Sequence, residues 1–120
     1  MLLRKAREDQ TAVVRFAADT ALSDAVIGFH AQQAIEKALK AVLALEGIAI
    51  PRTHDLRFLL EQLDAAGVVV PDAVRAGQTM APWAVEFRYG DVVDDELERD
   101  AAVRLVAEVT GWAAARFADR

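Results

Sequence analysis

The residues best suited to bind an anion or a base lie on one face of a long predicted helix. His30, Gln33, Lys37 and Lys40 recur at spacings of three and four residues, so they share a face. Gln33 can both donate and accept hydrogen bonds, and the two lysines are cations about one turn apart. Such a set can hold a phosphate or contact a base edge. The alternative is a solvated face on which Glu36 and Lys40 form an i,i+4 ion pair.

A second group of candidate residues, Thr53-His54-Asp55, follows a short loop. Thr53 is a good N-cap for the next helix, and Asp55 suits the positive end of that helix's dipole. Local structure does not account for His54. We expect His54 either to lie at the rim of a polar groove, or to pack or form a hydrogen bond against a neighbouring helix.

The third group comprises Arg88 and Tyr89, with Asp91 close behind. Arginine is the preferred planar partner of phosphate, and tyrosine can stack on a base or form a hydrogen bond. The alternative is a buried pair between Arg88 and a carboxylate that locks the end of a helix.

Metal and covalent chemistry have little support in the sequence. His30, His54-Asp55 and Asp91 loosely resemble the ligand order of HD-type metal phosphohydrolases, but the chain has only two histidines. Because cysteine is absent, thiolate nucleophiles, disulfides and zinc–thiolate sites are excluded. Ser23 is the single serine and sits at a helix start. We therefore expect no metal, no other cofactor and no catalytic residue.

The elements that must position these groups are predicted to be five helices with short connections. Pro51 and the glycines at 47, 67 and 90 separate them, and Asp95 with Glu98 matches a capping box. The first helix is expected over 2–20. The second is capped by Ser23 or Asp24 and ends near 46, and the third covers 54–66. The fourth covers 71–80, kinks at Pro82 and continues to 89, and the fifth covers 96–117. This pattern predicts an all-α bundle with antiparallel neighbours.

The apolar periodicity of three helices predicts which residues face the core. The expected core positions are Ile27, Ala31, Ala34, Ile35, Ala38, Val42 and Leu45 in the second helix, Leu56, Leu59, Leu60 and Leu63 in the third, and Ala101, Leu105, Val109, Trp112 and Phe117 in the fifth.

Length and composition bound the function. The 120 residues predict one domain spanning 1–120. A net charge of −5 argues against broad, nonspecific nucleic-acid binding but leaves room for a local basic site. The abundance of small apolar residues favours an oligomer. With no cysteine, no apolar signal-peptide core and no long apolar run, we expect a cytoplasmic protein without membrane spans.

The order of short motifs along the chain resembles the HEPN domain family. Gln32-Gln33, Glu36-Lys37, Lys40-Ala41 and Thr53-His54-Asp55-Leu56 carry the resemblance. Phe87-Arg88-Tyr89-Gly90-Asp91 resembles the Arg-Tyr-Pro-Asp signature of that family, with Gly90 in place of proline. The resemblance implies an up-and-down bundle of four to five helices that is commonly dimeric. It also implies nucleotide binding and a small nucleotidyltransferase partner in a toxin–antitoxin-like pair.

Many members of the family are metal-independent ribonucleases with an arginine, a spacer of four to six residues and a histidine. Neither His30 nor His54 has an arginine at that distance, and Arg88 has no histidine there. The resemblance therefore favours a binding module without nuclease activity. The predicted ligand residues are Gln33, Lys37, Lys40, His54, Arg88 and Tyr89. Two alternatives remain, a ribonuclease that uses Arg88, Tyr89 and His54, and a purely structural dimerisation module.

Overall fold

The computed structural model describes residues 1–84 and 97–120, and these form an all-α bundle. Its elements are α1 (Leu2–Ala17), α2 (Asp24–Leu45), α3 (Leu56–Ala65), α4 (Asp72–Arg75), a 3-10 helix (Ala76–Trp83) and α5 (Arg99–Ala118). The predicted fold class is confirmed. Among the described residues, no helix is both long and apolar enough to cross a membrane.

Helix α2 is the central element of the bundle, since it contacts α1, α3, α5 and the 3-10 helix. Its predicted apolar positions from Ile27 to Val42 are buried, and Leu45 is half-buried. The Ser23 hydroxyl accepts a hydrogen bond from the backbone N–H of Val26 at 3.4 Å, which confirms the predicted cap. After the helix, Gly47 has a φ of +77°, as expected for a left-handed C-terminal turn.

The loop between α1 and α2 is tied to the start of α5 by Arg99. Its Nε donates to Asp24 Oδ1 at 2.8 Å, and its terminal nitrogens donate to the backbone carbonyls of Ala17, Asp19 and Leu22 at 3.3, 3.0 and 2.7 Å. The start of α5 therefore lies beside the end of α1, so the two helices run antiparallel.

The predicted start of the third helix is wrong in its capping residue. Asp55, not Thr53, is the N-cap, because its Oδ1 accepts from the backbone N–H of Phe58 at 3.2 Å. Thr53 instead accepts from the N–H of Asp55 at 3.0 Å in the preceding turn. The helix begins at Leu56, two residues later than expected, and its four predicted leucines are buried. Both side chains stabilise the turn that carries His54.

The predicted fourth helix, 71–80, is confirmed as a helical segment but not as one continuous α-helix. Only Asp72–Arg75 is α-helical, and the chain then continues as a 3-10 helix that contains Pro82. The 3-10 helix packs on α2. The Trp83 ring lies directly on Gly28, where an added Cβ would stand 2.4 Å from the ring. The predicted continuation to Tyr89 lies outside the described residues.

Helix α5 begins three residues later than predicted, and Glu98 is its N-cap without a side-chain capping bond. Asp95, the other half of the predicted capping box, lies outside the described residues. The buried positions are Ala102, Val106, Val109, Thr110 and Ala113. Of the five apolar positions named from the sequence, only Val109 is fully buried, and the other four are half-buried.

Candidate ligand-binding site on helix α2

A buried carboxylate, Glu36, organises the polar side of α2 toward α3. Its Oε1 accepts from Gln32 Nε2 at 3.0 Å and lies 2.8 Å from His54 Nδ1. Its Oε2 accepts from Lys40 Nζ at 3.0 Å. Glu36 is only 4% exposed, so the predicted solvated face with a surface Glu36–Lys40 pair is wrong at this position. The pair exists, but it belongs to a buried network.

The electrostatics of this network keep Glu36 ionised. Burial alone would raise the pKa of the Glu36 carboxyl. The hydrogen bonds from Gln32, His54 and Lys40, together with the positive charge of Lys40, outweigh burial and hold that pKa below its ordinary value. At neutral pH the carboxylate is therefore a fixed acceptor with both oxygens engaged.

The network extends from Glu36 to two surface groups. His54, on the turn before α3, has a side chain that is 71% exposed, although its Nδ1 faces the buried carboxylate. On the other side, Gln33 Nε2 donates to Gln32 Oε1 at 2.8 Å, and Gln33 is half-buried. Gln32 itself is completely buried. Two predicted ligand residues thus form the exposed ends of one hydrogen-bonded chain.

Lys37 belongs to a second cluster, formed with α1. Its Nζ donates to Asp9 Oδ2 at 2.6 Å, and the other oxygen of Asp9 lies 3.0 Å from His30 Nδ1. The His30 ring also makes edge contacts with Phe16 and Phe29, with ring centroids 5.8 and 5.5 Å apart. This cluster joins α1 to α2 and accounts for His30 as a structural residue.

Around Glu36 and its partner Gln32 lie three of the six predicted ligand residues, Gln33, Lys40 and His54, while Lys37 pairs with Asp9 of α1. Arg88 and Tyr89, with Asp91, lie outside the described residues. Sequence reasoning missed Gln32 and Glu36 as network members and Asp9 as the partner of Lys37. The i,i+4 spacing of Gln32, Glu36 and Lys40 was the available signal, since it places all three on one side of the helix.

The described part of the site is polar but not cationic. Lys37 and Lys40 each bind a carboxylate of the same chain, which offsets their charge. A free anion at either lysine has to compete with Asp9 or Glu36. In residues 1–84 and 97–120, no three histidine, aspartate or glutamate side chains gather as a metal site would require. The described side chains therefore offer a ligand directional hydrogen bonds and little net positive charge.

Comparison with known proteins gives one match. A model of the HEPN domain matches residues 1–116. No curated protein and no solved structure is significantly similar to the chain.

Proposed function

Because the chain belongs to the HEPN domain family, we propose that it is a HEPN-type helical binding module and not an enzyme. In this proposal two copies form a dimer, each copy binds a nucleotide, and the module acts with a small nucleotidyltransferase in a toxin–antitoxin-like pair. The proposed unit is the single domain 1–120.

The observation that carries the binding proposal is the network around the buried Glu36 carboxylate, which Lys40 and His54 contact directly and which Gln33 reaches through Gln32. Burying a charge is costly unless it is paired and hydrogen-bonded, and this one receives three side-chain contacts. The network holds Gln33 and His54 in defined orientations at the surface. Preorganised polar groups of this kind favour a specific small ligand, because little ordering remains when it binds.

The proposed contacts divide between base and phosphate. Gln33 and His54 contact the base, and Tyr89 stacks on it. Arg88 supplies the main positive charge for the phosphate, since the charge of Lys40 is shared with Glu36. Lys37, which binds Asp9, holds α1 against α2 in this proposal and does not contact the ligand.

Calorimetric titration of nucleoside mono- and triphosphates tests this proposal. Wild type is expected to bind, and Arg88→Ala to weaken binding roughly ten- to a hundredfold through loss of one charged contact. His54→Ala is expected to weaken it as well. Lys5→Ala, which removes an exposed cation on α1, is the matched control and should bind as wild type. Absence of binding in all four proteins would favour the purely structural dimerisation module.

A metal-independent ribonuclease is the second candidate, and one observation favours it. The Glu36 carboxylate contacts His54 Nδ1, as carboxylates that orient a general base do. The arginine–histidine spacing of the family's nucleases is nevertheless missing. We expect structured and unstructured RNA to remain intact on incubation with the protein. Cleavage that disappears in both His54→Ala and Arg88→Ala would replace the binding proposal with this one.

A further inference from the structure

The ionised Glu36 fixes the direction of every hydrogen bond that reaches it. A carboxylate without a proton can only accept. The two groups that contact Oε1, Gln32 Nε2 and His54 Nδ1, must therefore donate. This requirement fixes the orientation of the Gln32 amide and the tautomer of the His54 imidazole. Through these two groups it determines which hydrogen-bonding atoms Gln33 and His54 present at the surface.

Two acceptor oxygens fix the orientation of the Gln32 amide, which leads from Glu36 to Gln33. Gln32 Nε2 is 3.0 Å from Glu36 Oε1 and 3.4 Å from the backbone oxygen of His54, and both of these oxygens are acceptors. The amide nitrogen of Gln32 must face them, so its Oε1 faces Gln33 and accepts from Gln33 Nε2 at 2.8 Å. The Gln33 carbonyl then points away from Gln32. Within the described residues it accepts no hydrogen bond, and one N–H of the same amide also remains available.

On the side of His54, the exposed ring nitrogen Nε2 is a hydrogen-bond acceptor. With its proton on Nδ1, the neutral imidazole of His54 has a lone pair on Nε2. The side chain is 71% exposed, so this nitrogen is accessible to a ligand. In the neutral ring this nitrogen cannot bind a phosphate oxygen, because both partners would be acceptors; only an imidazolium, with a second proton on Nε2, could donate to one.

We infer that the group recognised by Gln33 and His54 is the amino-bearing edge of a nucleobase, as in adenine or cytosine, and not the phosphate. This inference rests on the proposed nucleotide binding. An amide that presents one carbonyl and one N–H matches an exocyclic amine next to a ring nitrogen, which is how glutamine pairs with adenine. The acceptor nitrogen of His54 takes a second donor from the ligand, an amino N–H or a sugar hydroxyl.

The tautomer of His54 is the first test and needs no ligand. Two-bond nitrogen–proton NMR spectra of the imidazole distinguish the two neutral forms. We expect the proton on Nδ1. A proton on Nε2 in the neutral ring would make the exposed nitrogen a donor and would overturn the inference.

Ligand competition is the second test. AMP is expected to bind roughly tenfold more tightly, or better, than N6,N6-dimethyl-AMP, which lacks both amino donors, and than IMP, which carries an oxygen there. All three share the same phosphate. If they bind equally, the inference fails while nucleotide binding stands. If AMP, its two analogues and CMP all fail to bind, the proposed function fails and the inference with it.

Two substitutions connect the preference to the network. Glu36→Gln lets an amide N–H donate to His54 Nδ1, so the preference for AMP over its dimethyl analogue should fall. Because Glu36 is buried, circular dichroism must confirm that this variant folds. Gln33→Met, at a half-buried position, keeps the core intact and should reduce the same preference, whereas Lys5→Ala should leave it unchanged. A preference that survives in a folded Glu36→Gln and in Gln33→Met would overturn the inference.

Discussion

Glu36 shows how a single residue can link stability to recognition. Its carboxylate is buried, and contacts from Gln32, Lys40 and His54 offset the cost of removing its charge from water. The same contacts orient the groups proposed to meet a ligand. A change at Glu36 should therefore affect folding and binding together, whereas a change at an exposed end such as His54 should affect mainly binding.

The pH dependence of unfolding tests the charge on Glu36. Its pKa is lowered in the folded protein, so the folded state holds this proton less tightly than the unfolded state. The resulting stabilisation is present above the unfolded pKa of about 4.5 and is lost as the pH falls through the lower folded value. At about pH 7, Glu36→Gln is expected to lose about 1–3 kcal/mol in urea unfolding.

The gap between wild type and Glu36→Gln should narrow toward about pH 3, because the variant lacks this titration. Asp64→Asn serves as the control and should change the free energy of unfolding little at either pH. The ion pair with Arg75 lowers the pKa of Asp64 as well, but both partners lie at the surface, where such pairs contribute little. A gap of constant size between these pH values would show that Glu36 does not carry the proposed charge.

At the scale of single elements, the 3-10 helix is held by a close approach to α2. We predict that Gly28→Ala lowers the free energy of unfolding by about 1–3 kcal/mol, because the new Cβ would lie 2.4 Å from the Trp83 ring and force it to move. Tryptophan fluorescence in a Trp112→Phe background would report that movement. Gly111→Ala is the matched control, since among the described residues its Cβ would meet no atom within 4 Å beyond its own turn of α5.

The Gly111→Ala control should raise the free energy of unfolding by about 0.5–1 kcal/mol, because alanine replaces glycine inside α5 without a clash. Equal effects at Gly28 and Gly111 would contradict the proposed packing of Trp83 on α2.

The cluster between α1 and α2 gives a separate element-scale prediction. Lys37→Ala removes the 2.6 Å contact with Asp9 and should lower stability by about 1 kcal/mol. Nucleotide affinity in calorimetry should stay at the wild-type value, since Lys37 lies in a different cluster from His54. A loss of affinity equal to that of Arg88→Ala would return Lys37 to the binding site.

Local sequence signals predicted the elements that local chemistry determines. The apolar periodicity and the Ser23 cap located α2, and the four leucines of α3 are buried as expected. Local propensity did not predict where α4 ends and the 3-10 helix begins, and the packing of Trp83 on Gly28, more than fifty residues earlier in the chain, is likewise not a local signal. Propensity also ranked Thr53 as a cap, while the geometry of the turn selected Asp55.

The candidate site was predicted only in part for a similar reason. Helical spacing predicted that Gln33, Lys37 and Lys40 lie on one side of α2. The pattern of a single helix can predict no more than that. Lys40 pairs with Glu36 of the same helix, as the spacing indicated, whereas the partner of Lys37 lies on the neighbouring helix, where Asp9 of α1 accepts its hydrogen bond. The burial of Glu36 likewise depends on how the turn before α3 folds over α2.

At the scale of the whole molecule, we predict a homodimer. Small apolar residues are abundant, and Val69 and Val14 are large apolar side chains that are 82% and 52% exposed in the single chain. Light scattering at micromolar concentration should give about twice the chain mass of 13.1 kDa. A mass of one chain throughout that concentration range would contradict the dimer.

The most direct test of the central claim is to map the ligand on isotopically labelled protein by NMR. During titration with AMP, backbone and side-chain shifts are expected to change at Gln33, Lys40 and His54, around the buried Glu36. The exposed face of α1 around Arg4 and Lys5 should stay unchanged. Shift changes confined to another surface, or no saturable change at any nucleotide concentration, would contradict the claim that this network forms a nucleotide-binding site.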